Sequence, residues 1–190
     1  PFYEVILNCN EALEKFDKMK EALILDADNY NERYADVMAI RCWTYLQLGI
    51  HYGEVKYVNK PINSAEEALD STLFETYTLD ALLPVLIAEM ENLPTMEDYY
   101  VVELAKNMEA GYQKKMLFIN KYFLLGDLYL WNNQYEQAAR QYYTLMNKFN
   151  EDGYKYKTTA GTWQQGSTPK GFWVRFLRYN DGNISQFRNK

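Results

Sequence analysis

The sequence predicts an all-α fold of packed helical hairpins, followed by an irregular aromatic-rich tail. Apolar residues recur at helical spacing in five successive segments up to about residue 150. Two of those segments are joined by a short polar turn and carry small residues placed for a close crossing. After Asp152-Gly153 the helical spacing stops, and Gly and Pro punctuate a run of rings. The expected organisation is therefore a helical domain over residues 1–150 and a tail over residues 151–190.

The first helix is expected from about Phe2 to Met19, with Val5, Cys9, Ala12, Leu13 and Phe16 on its apolar stripe. Asp28, Asn29 and Asn31 offer caps for a second helix over about 32–50. Its core face is Tyr34, Val37, Met38, Arg41, Tyr45 and Leu48, and Gly53 ends it. Residues 54–71 read as a loop, with Pro61 fixing an extended step and a short turn near Glu66. Thr72-x-x-Glu75 reads as a capping box opening the third helix. Pro84 lies inside that helix, removes one hydrogen bond and predicts a kink; Leu93-Pro94 closes it. The fourth helix is expected over about 107–131 and the fifth over about 134–150.

The last two helices carry the sharpest pattern. Tyr122, Leu125-Gly126, Tyr129, Ala138 and Tyr142 follow the spacing of a tetratricopeptide helix–turn–helix unit. Gly126 and Ala138 are small, so the two antiparallel helices can approach where they face each other. Tyr122, Leu125 and Tyr129 share one face and fill the space around that contact. Asn132-Asn133 is the polar turn, where Asn tolerates the left-handed conformation that ends a helix. Asn150 stands where the pattern has Pro.

Four blocks in order extend this likeness. Asn8-Cys9-Asn10-Glu11-Ala12-Leu13 resembles the N-x-N-x-x-L opening helix of SusD/RagB-type proteins. Arg41 to Leu48, followed by His51-Tyr52-Gly53-Glu54-Val55, resembles that family's second helix and its Tyr-Gly-acidic-Val-Pro exit. Lys56 replaces the Pro, which predicts a looser turn here. Thr76-Tyr77 through Leu93-Pro94 resembles the next segment, and Leu124 to Ala139 the family's hairpin. The likeness spans roughly residues 3–147 and is weak from Glu151 onward. Members are surface lipoproteins that capture glycans beside a TonB-dependent, SusC-like outer-membrane transporter. The resemblance therefore implies a non-catalytic binder of an oligosaccharide or polysaccharide, exposed at the cell outer membrane and held there by a lipid anchor. No binding residue of the family falls on a matching motif position, so none is carried over. The competing expectation is a stand-alone tetratricopeptide module that holds a peptide in a concave groove; it calls for several successive repeats, and one clean repeat is visible.

Composition agrees with a folded domain. The chain has 190 residues, 48% hydrophobic and 16% aromatic, which argues against disorder. Its 18 tyrosines suit a bundle that is packed yet adhesive to polar ligands, since Tyr joins an apolar ring to a polar tip. A net charge of -6 disfavours nucleic acid and anionic membrane surfaces as partners. The chain begins Pro1-Phe2-Tyr3 without initiator Met, signal peptide or lipobox. It is expected to be a piece of a longer protein whose targeting segment and C-terminal portion lie elsewhere.

The tail supplies the candidate binding residues. Tyr154, Tyr156, Trp163 and Trp173 are interleaved with Gly, Thr, Gln and basic residues, and Phe172–Leu177 suits a strand. One reading has these rings packing as ordinary core onto the rest of a longer protein. A second has Trp163, Trp173, Tyr154 and Tyr156 stacking on the apolar faces of sugar rings. Single-stranded nucleic acid is a remote third, because the domain is acidic.

Little points to catalysis. His51 is the only histidine; it follows a helix end, where an imidazole favourably faces the negative end of the dipole. No Ser or Cys has a base arranged for a triad, and no Gly-Lys-Ser/Thr phosphate loop occurs. A glycosidase needs two carboxylates about 5–10 Å apart, and nothing singles out a pair; Glu66-Glu67, Glu97-Asp98 and Glu151-Asp152 read as solvated faces and caps. Cys9 and Cys42 read as buried thiols; a disulfide would need Cα atoms within about 7 Å. With one histidine they form no recognisable zinc motif, and neither metal nor cofactor is expected.

Overall fold

The computed structural model describes residues 1–70, 72–96, 119–147, 158–160 and 172–174, and these are mostly helical. The described elements are α1 (Phe2–Glu21), α2 (Ala27–Tyr52), β1 (Glu54–Lys56), α3 (Ala65–Leu69), β2 (Thr76–Thr78), α4 (Leu79–Glu91), α5 (Lys121–Trp131), α6 (Tyr135–Asn147), β3 (Thr158–Ala160) and β4 (Phe172–Val174). α2 lies at the centre, packed against α1, α4 and α5, and α5 pairs with α6. No helix among the described residues is long and apolar enough to cross a membrane.

α1 runs close to its expected bounds, but its buried stripe is Ile6, Cys9, Asn10 and Leu13, and Val5 faces solvent. The stripe is rotated because Asn10 finds partners inside: its amide donates to the carbonyls of Val58 (2.8 Å) and Lys60 (3.1 Å). A buried amide is tolerated when it is bonded. α1 then ends in a Schellman motif. Leu23 takes φ 56, its N–H reaches Lys20 O (3.0 Å), and Ile24 N–H reaches Met19 O (2.9 Å).

α2 starts five residues before the expected position. Asp26, not Asp28, Asn29 or Asn31, is the cap, and its carboxylate accepts the Asn29 N–H (2.9 Å) and the Asn29 side-chain amide (2.7 Å). Asp28, Asn29 and Asn31 inside the first turns are themselves of cap type and mask the true start. Gly53 ends the helix as expected, at φ 78, with its N–H on Gly49 O (2.8 Å). Gly49 marks the close approach of α2 to α4: a Cβ there would lie 2.9 Å from Leu79 Cδ1.

The expected loop over 54–71 contains β1 and α3. β1 pairs antiparallel with β2, Val55 opposite Tyr77 and Lys56 opposite Thr76. Lys56 is not in a loose turn. Its N–H donates to the Tyr3 hydroxyl (2.9 Å), which donates in turn to Lys56 O (3.0 Å). A Pro could not make the first of these bonds.

A Ser-x-x-Glu helix start is found one motif earlier than expected, with the Glu reaching the residue before the cap. Ser64 caps α3 by accepting Glu67 N–H (3.1 Å), and Glu67 accepts Asn63 N–H (2.8 Å). At Thr72-x-x-Glu75 no helix begins: Thr72 N–H and hydroxyl both bond Asp70. The residues after Ser64 are helix formers, whereas those after Thr72 include Phe74, Thr76, Tyr77 and Thr78 and enter a strand. Thr78 caps α4 instead. Pro84 sits inside α4 as expected, leaving the Asp80 carbonyl without its helical donor.

The expected fourth helix does not run unbroken to Trp131. Asn120 is non-helical and caps α5 by accepting Phe123 N–H (2.9 Å); residues 107–118 lie outside the described set. α5 turns into α6 through a second Schellman motif. Asn133 takes φ 59, its N–H reaches Leu130 O (3.2 Å), and Gln134 N–H reaches Tyr129 O (2.8 Å). Gly126 is a close-approach site, but what it meets is the ring of Tyr142 rather than Ala138. A Cβ at Gly126 would overlap Tyr142 Cε1 and lie 2.9 Å from Cδ1. Ala138 is buried at 2% exposure. The hairpin is tied inward by the buried pair Lys121–Asp36 to α2 and by Tyr129–Glu91 to α4.

In the tail, β3 pairs antiparallel with β4, Thr159 opposite Trp173.

Candidate functional site

A groove of about 670 Å³ runs between α2 and α4. α2 presents Tyr34, Met38 and Arg41 at i, i+4 and i+7, one helical face. α4 presents Pro84, Val85, Ala88, Glu89 and Asn92 to it, and the segment after β1 adds Asn59. The volume is that of a small-ligand site.

At its base is a buried polar network. The Arg41 guanidinium, 4% exposed, donates through Nη2 to Glu89 Oε1 (2.6 Å) and through Nη1 to Asn10 Oδ1 (2.7 Å) and Asn59 O (3.5 Å). The Glu89 carboxylate also accepts the Tyr57 hydroxyl and the Cys42 thiol (Sγ to Oε2, 3.4 Å). Tyr45 locks the neighbouring backbone: its hydroxyl donates to Val58 O (2.9 Å) and accepts Val58 N–H (2.7 Å). Arg41 Nε is buried and has no partner among the described residues.

Ionisation follows from this packing. Burial by itself lowers the Arg41 pKa, and the Glu89 carboxylate, with smaller help from Tyr57, more than reverses that. Burial, and then the negative charge of Glu89, push Cys42 well up; burial likewise raises Cys9, partly offset by Arg41. Both cysteines are free and buried, so neither has thiolate character near neutrality. Tyr57 is pushed up by burial and by Glu89, and Tyr34 by burial and by Asp17. The groove thus presents an ion pair of zero net charge and tyrosines that stay protonated, which is equipment for hydrogen bonding.

Of the residues named from sequence, Tyr154, Tyr156 and Trp163 lie outside the described set, and Trp173 is described in its backbone alone, in β4. His51 sits in the last turn of α2, exposed. No group of three or more His, Cys, Asp or Glu among the described residues is placed to hold a metal. The groove was missed. Its signal was Arg41, a cation on an otherwise apolar helical stripe, which requires a buried anion opposite it.

Compared with known proteins, the chain matches no family model, no curated protein and no solved structure.

Proposed function

We propose that this chain is the helical part of a SusD/RagB-type protein, built of tetratricopeptide-like hairpins, which binds a glycan without turning it over and passes it to a TonB-dependent transporter at the cell outer membrane. The observation that carries the reading is the Asn10–Arg41–Glu89 chain of bonds. Asn10 belongs to the first of the four sequence blocks, Arg41 to the second and Glu89 to the third. Tyr129–Glu91 joins the fourth to the third. Asn10, Arg41 and Tyr129 are residues of the quoted motifs, and Glu89 and Glu91 lie within the third block, so the bonds join the blocks in the order in which the likeness places them.

Binding without turnover is supported by the groove's contents. Glu89 is the one carboxylate lining it among the described residues, whereas glycoside hydrolysis calls for a pair. Glu89 is also already engaged by Arg41, Tyr57 and Cys42. The tail aromatics Tyr154, Tyr156, Trp163 and Trp173 are proposed as further sugar contacts.

The test is membrane fractionation of the source cells with affinity purification of the full-length protein. The reading expects outer-membrane recovery, co-purification of a TonB-dependent transporter, and retention of a polysaccharide without reducing-end release. Recovery in the soluble fraction with no such transporter, or hydrolysis abolished by changing a single Asp or Glu, would overturn it.

A further inference from the structure

We infer that the α2–α4 groove is a subsite for one neutral sugar residue, an inference that rests on the glycan-binding reading above. Four features point to that ligand chemistry. Part of the lining, Met38, Pro84, Val85 and Ala88, is apolar and suits the C–H face of a ring. Around it stand polar groups not used by the fold: the Tyr34 hydroxyl and the Asn59 side chain have no hydrogen-bond partner among the described residues. Asn92 spends its amide N–H on Ala88 O (2.8 Å) and keeps its oxygen. Together these are donors and acceptors in mixed supply, which is what ring hydroxyls require, since each hydroxyl both gives and accepts. Finally, the charges lining the groove among the described residues are Arg41 and Glu89, which cancel. A carboxylate or phosphate ligand would meet Glu89, an ammonium would meet Arg41, and a neutral ring meets neither penalty.

Tyr34 is the principal positioning group. Its ring packs on Tyr30 (centroids 5.3 Å apart), and Tyr30 is fixed in turn by its bond to Asp17 (2.7 Å). A wall held this way loses little side-chain freedom when a ligand docks. A single ring offers few contacts, so affinity for one residue is on the order of millimolar.

Ligand-observed saturation-transfer NMR on the chain, with a panel of neutral oligosaccharides, tests this. Backbone shift mapping adds the location. Tyr34→Phe removes one hydroxyl and Asn92→Ala one amide, both at the surface of the groove, and helical circular dichroism checks that each variant folds. The inference expects saturation transfer from at least one glycan and shifts confined to α2 and α4. It also expects a loss of about fivefold in affinity for each variant, one hydrogen bond apiece. Glycan binding that survives both groove variants, or that shifts only tail residues, overturns this inference and leaves the glycan reading standing. Absence of transfer from every glycan overturns this inference, and the glycan reading is then decided by polysaccharide retention on the full-length protein.

Discussion

The two helical hairpins of this protein turn in the same way and are held together differently. α1–α2 and α5–α6 both end their first helix in a Schellman motif with one left-handed residue, Leu23 in the first and Asn133 in the second. Between α1 and α2 the apolar contact of Ile6 and Leu13 encloses a polar one, Asn10 against Arg41, which extends to Glu89 on α4. Between α5 and α6 the contact is one of shape, the Tyr142 ring seated on Gly126, with a single bond from its hydroxyl to Asp127 (2.6 Å). Polar contacts are directional and fail abruptly when one partner is removed. Shape contacts fail in proportion to the volume misplaced.

What both regions share is tyrosine bonded to carboxylate: Tyr30–Asp17 within the first and Tyr142–Asp127 within the second, with Tyr57–Glu89 beside Arg41 and Tyr129–Glu91 tying each region to α4. Burial first, then these acids, raise every one of the four hydroxyls; Tyr129 is pushed up to about 12. Each folded pKa lies above the unfolded value near 10. The stability they contribute is therefore complete below pH 10 and is lost as pH rises through the folded values, for Tyr129 between about 10 and 12. The largest effect expected is cooperative alkaline unfolding of both hairpins together. It is checked by following helical circular dichroism and tyrosinate absorbance in one titration. Complete tyrosine ionisation near pH 10 with the helices intact would show that these pairs do not hold either region.

Next in size is Arg41. Arg41→Met leaves the partly buried Glu89 carboxylate beside Tyr57 and Cys42 with no cation, and should cost about 3 kcal/mol. Arg41→Met with Glu89→Leu removes the stranded charge and should cost less than Arg41→Met alone. Urea melts of the two variants decide it. If the double variant is the weaker, the pair is a net source of stability and its role in joining α2 to α4 is greater than a matched pair of apolar residues would supply.

Smaller again is the shape contact. Gly126→Ala gains about 1 kcal/mol of helix propensity but drives a methyl into the Tyr142 ring, and overpacking of this kind costs about 1–3 kcal/mol. Net destabilisation in urea, accompanied by weakening of the Tyr142–Asp127 bond, is the expected result. Ala138→Leu should behave similarly, since Ala138 is buried. A variant at Gly126 as stable as the parent would mean that the ring moves aside freely.

This contrast also explains what could be read in advance. The α5–α6 hairpin was legible because its logic is local: a small residue, rings at helical spacing, and two Asn at a turn all lie within a short stretch. The helices around Arg41 were legible as helices, and Arg41 was placed on the inner face of α2. Its partners were not, because Asn10 and Glu89 lie 31 and 48 residues away and no spacing rule links them. The start of α2 failed for a different reason: Asp26 is followed within five residues by Asp28, Asn29 and Asn31, each of a type that caps helices equally well. The Thr72 box failed because long-range pairing of β2 with β1 overrode a local capping signal that Ser64 satisfies elsewhere. For the binding site, the tail rings named from composition fall mostly outside the described residues, and the groove depends on which faces of α2 and α4 meet.

The smallest effect isolates the one point where the two turns differ. The left-handed position of a Schellman motif favours Gly or Asn, because a side chain crowds the backbone there. Asn133 conforms, and Leu23 does not, at φ 56. Leu23 is 90% exposed, so its side chain contributes almost nothing to packing that could offset the strain. Holding an ordinary residue in this conformation costs roughly 1–2 kcal/mol, and a Gly released from it gives part of that back to the flexibility of the unfolded chain. Leu23→Gly should therefore stabilise the protein by about 1 kcal/mol, and Leu23→Asn by a few tenths, with α1 and α2 unchanged in circular dichroism. Asn133→Leu in the second turn should do the reverse by a similar amount. If Leu23→Gly proves neutral or destabilising in urea, the exposed leucine makes a contact that outweighs its strain, and the first hairpin is held at its turn as well as through Arg41.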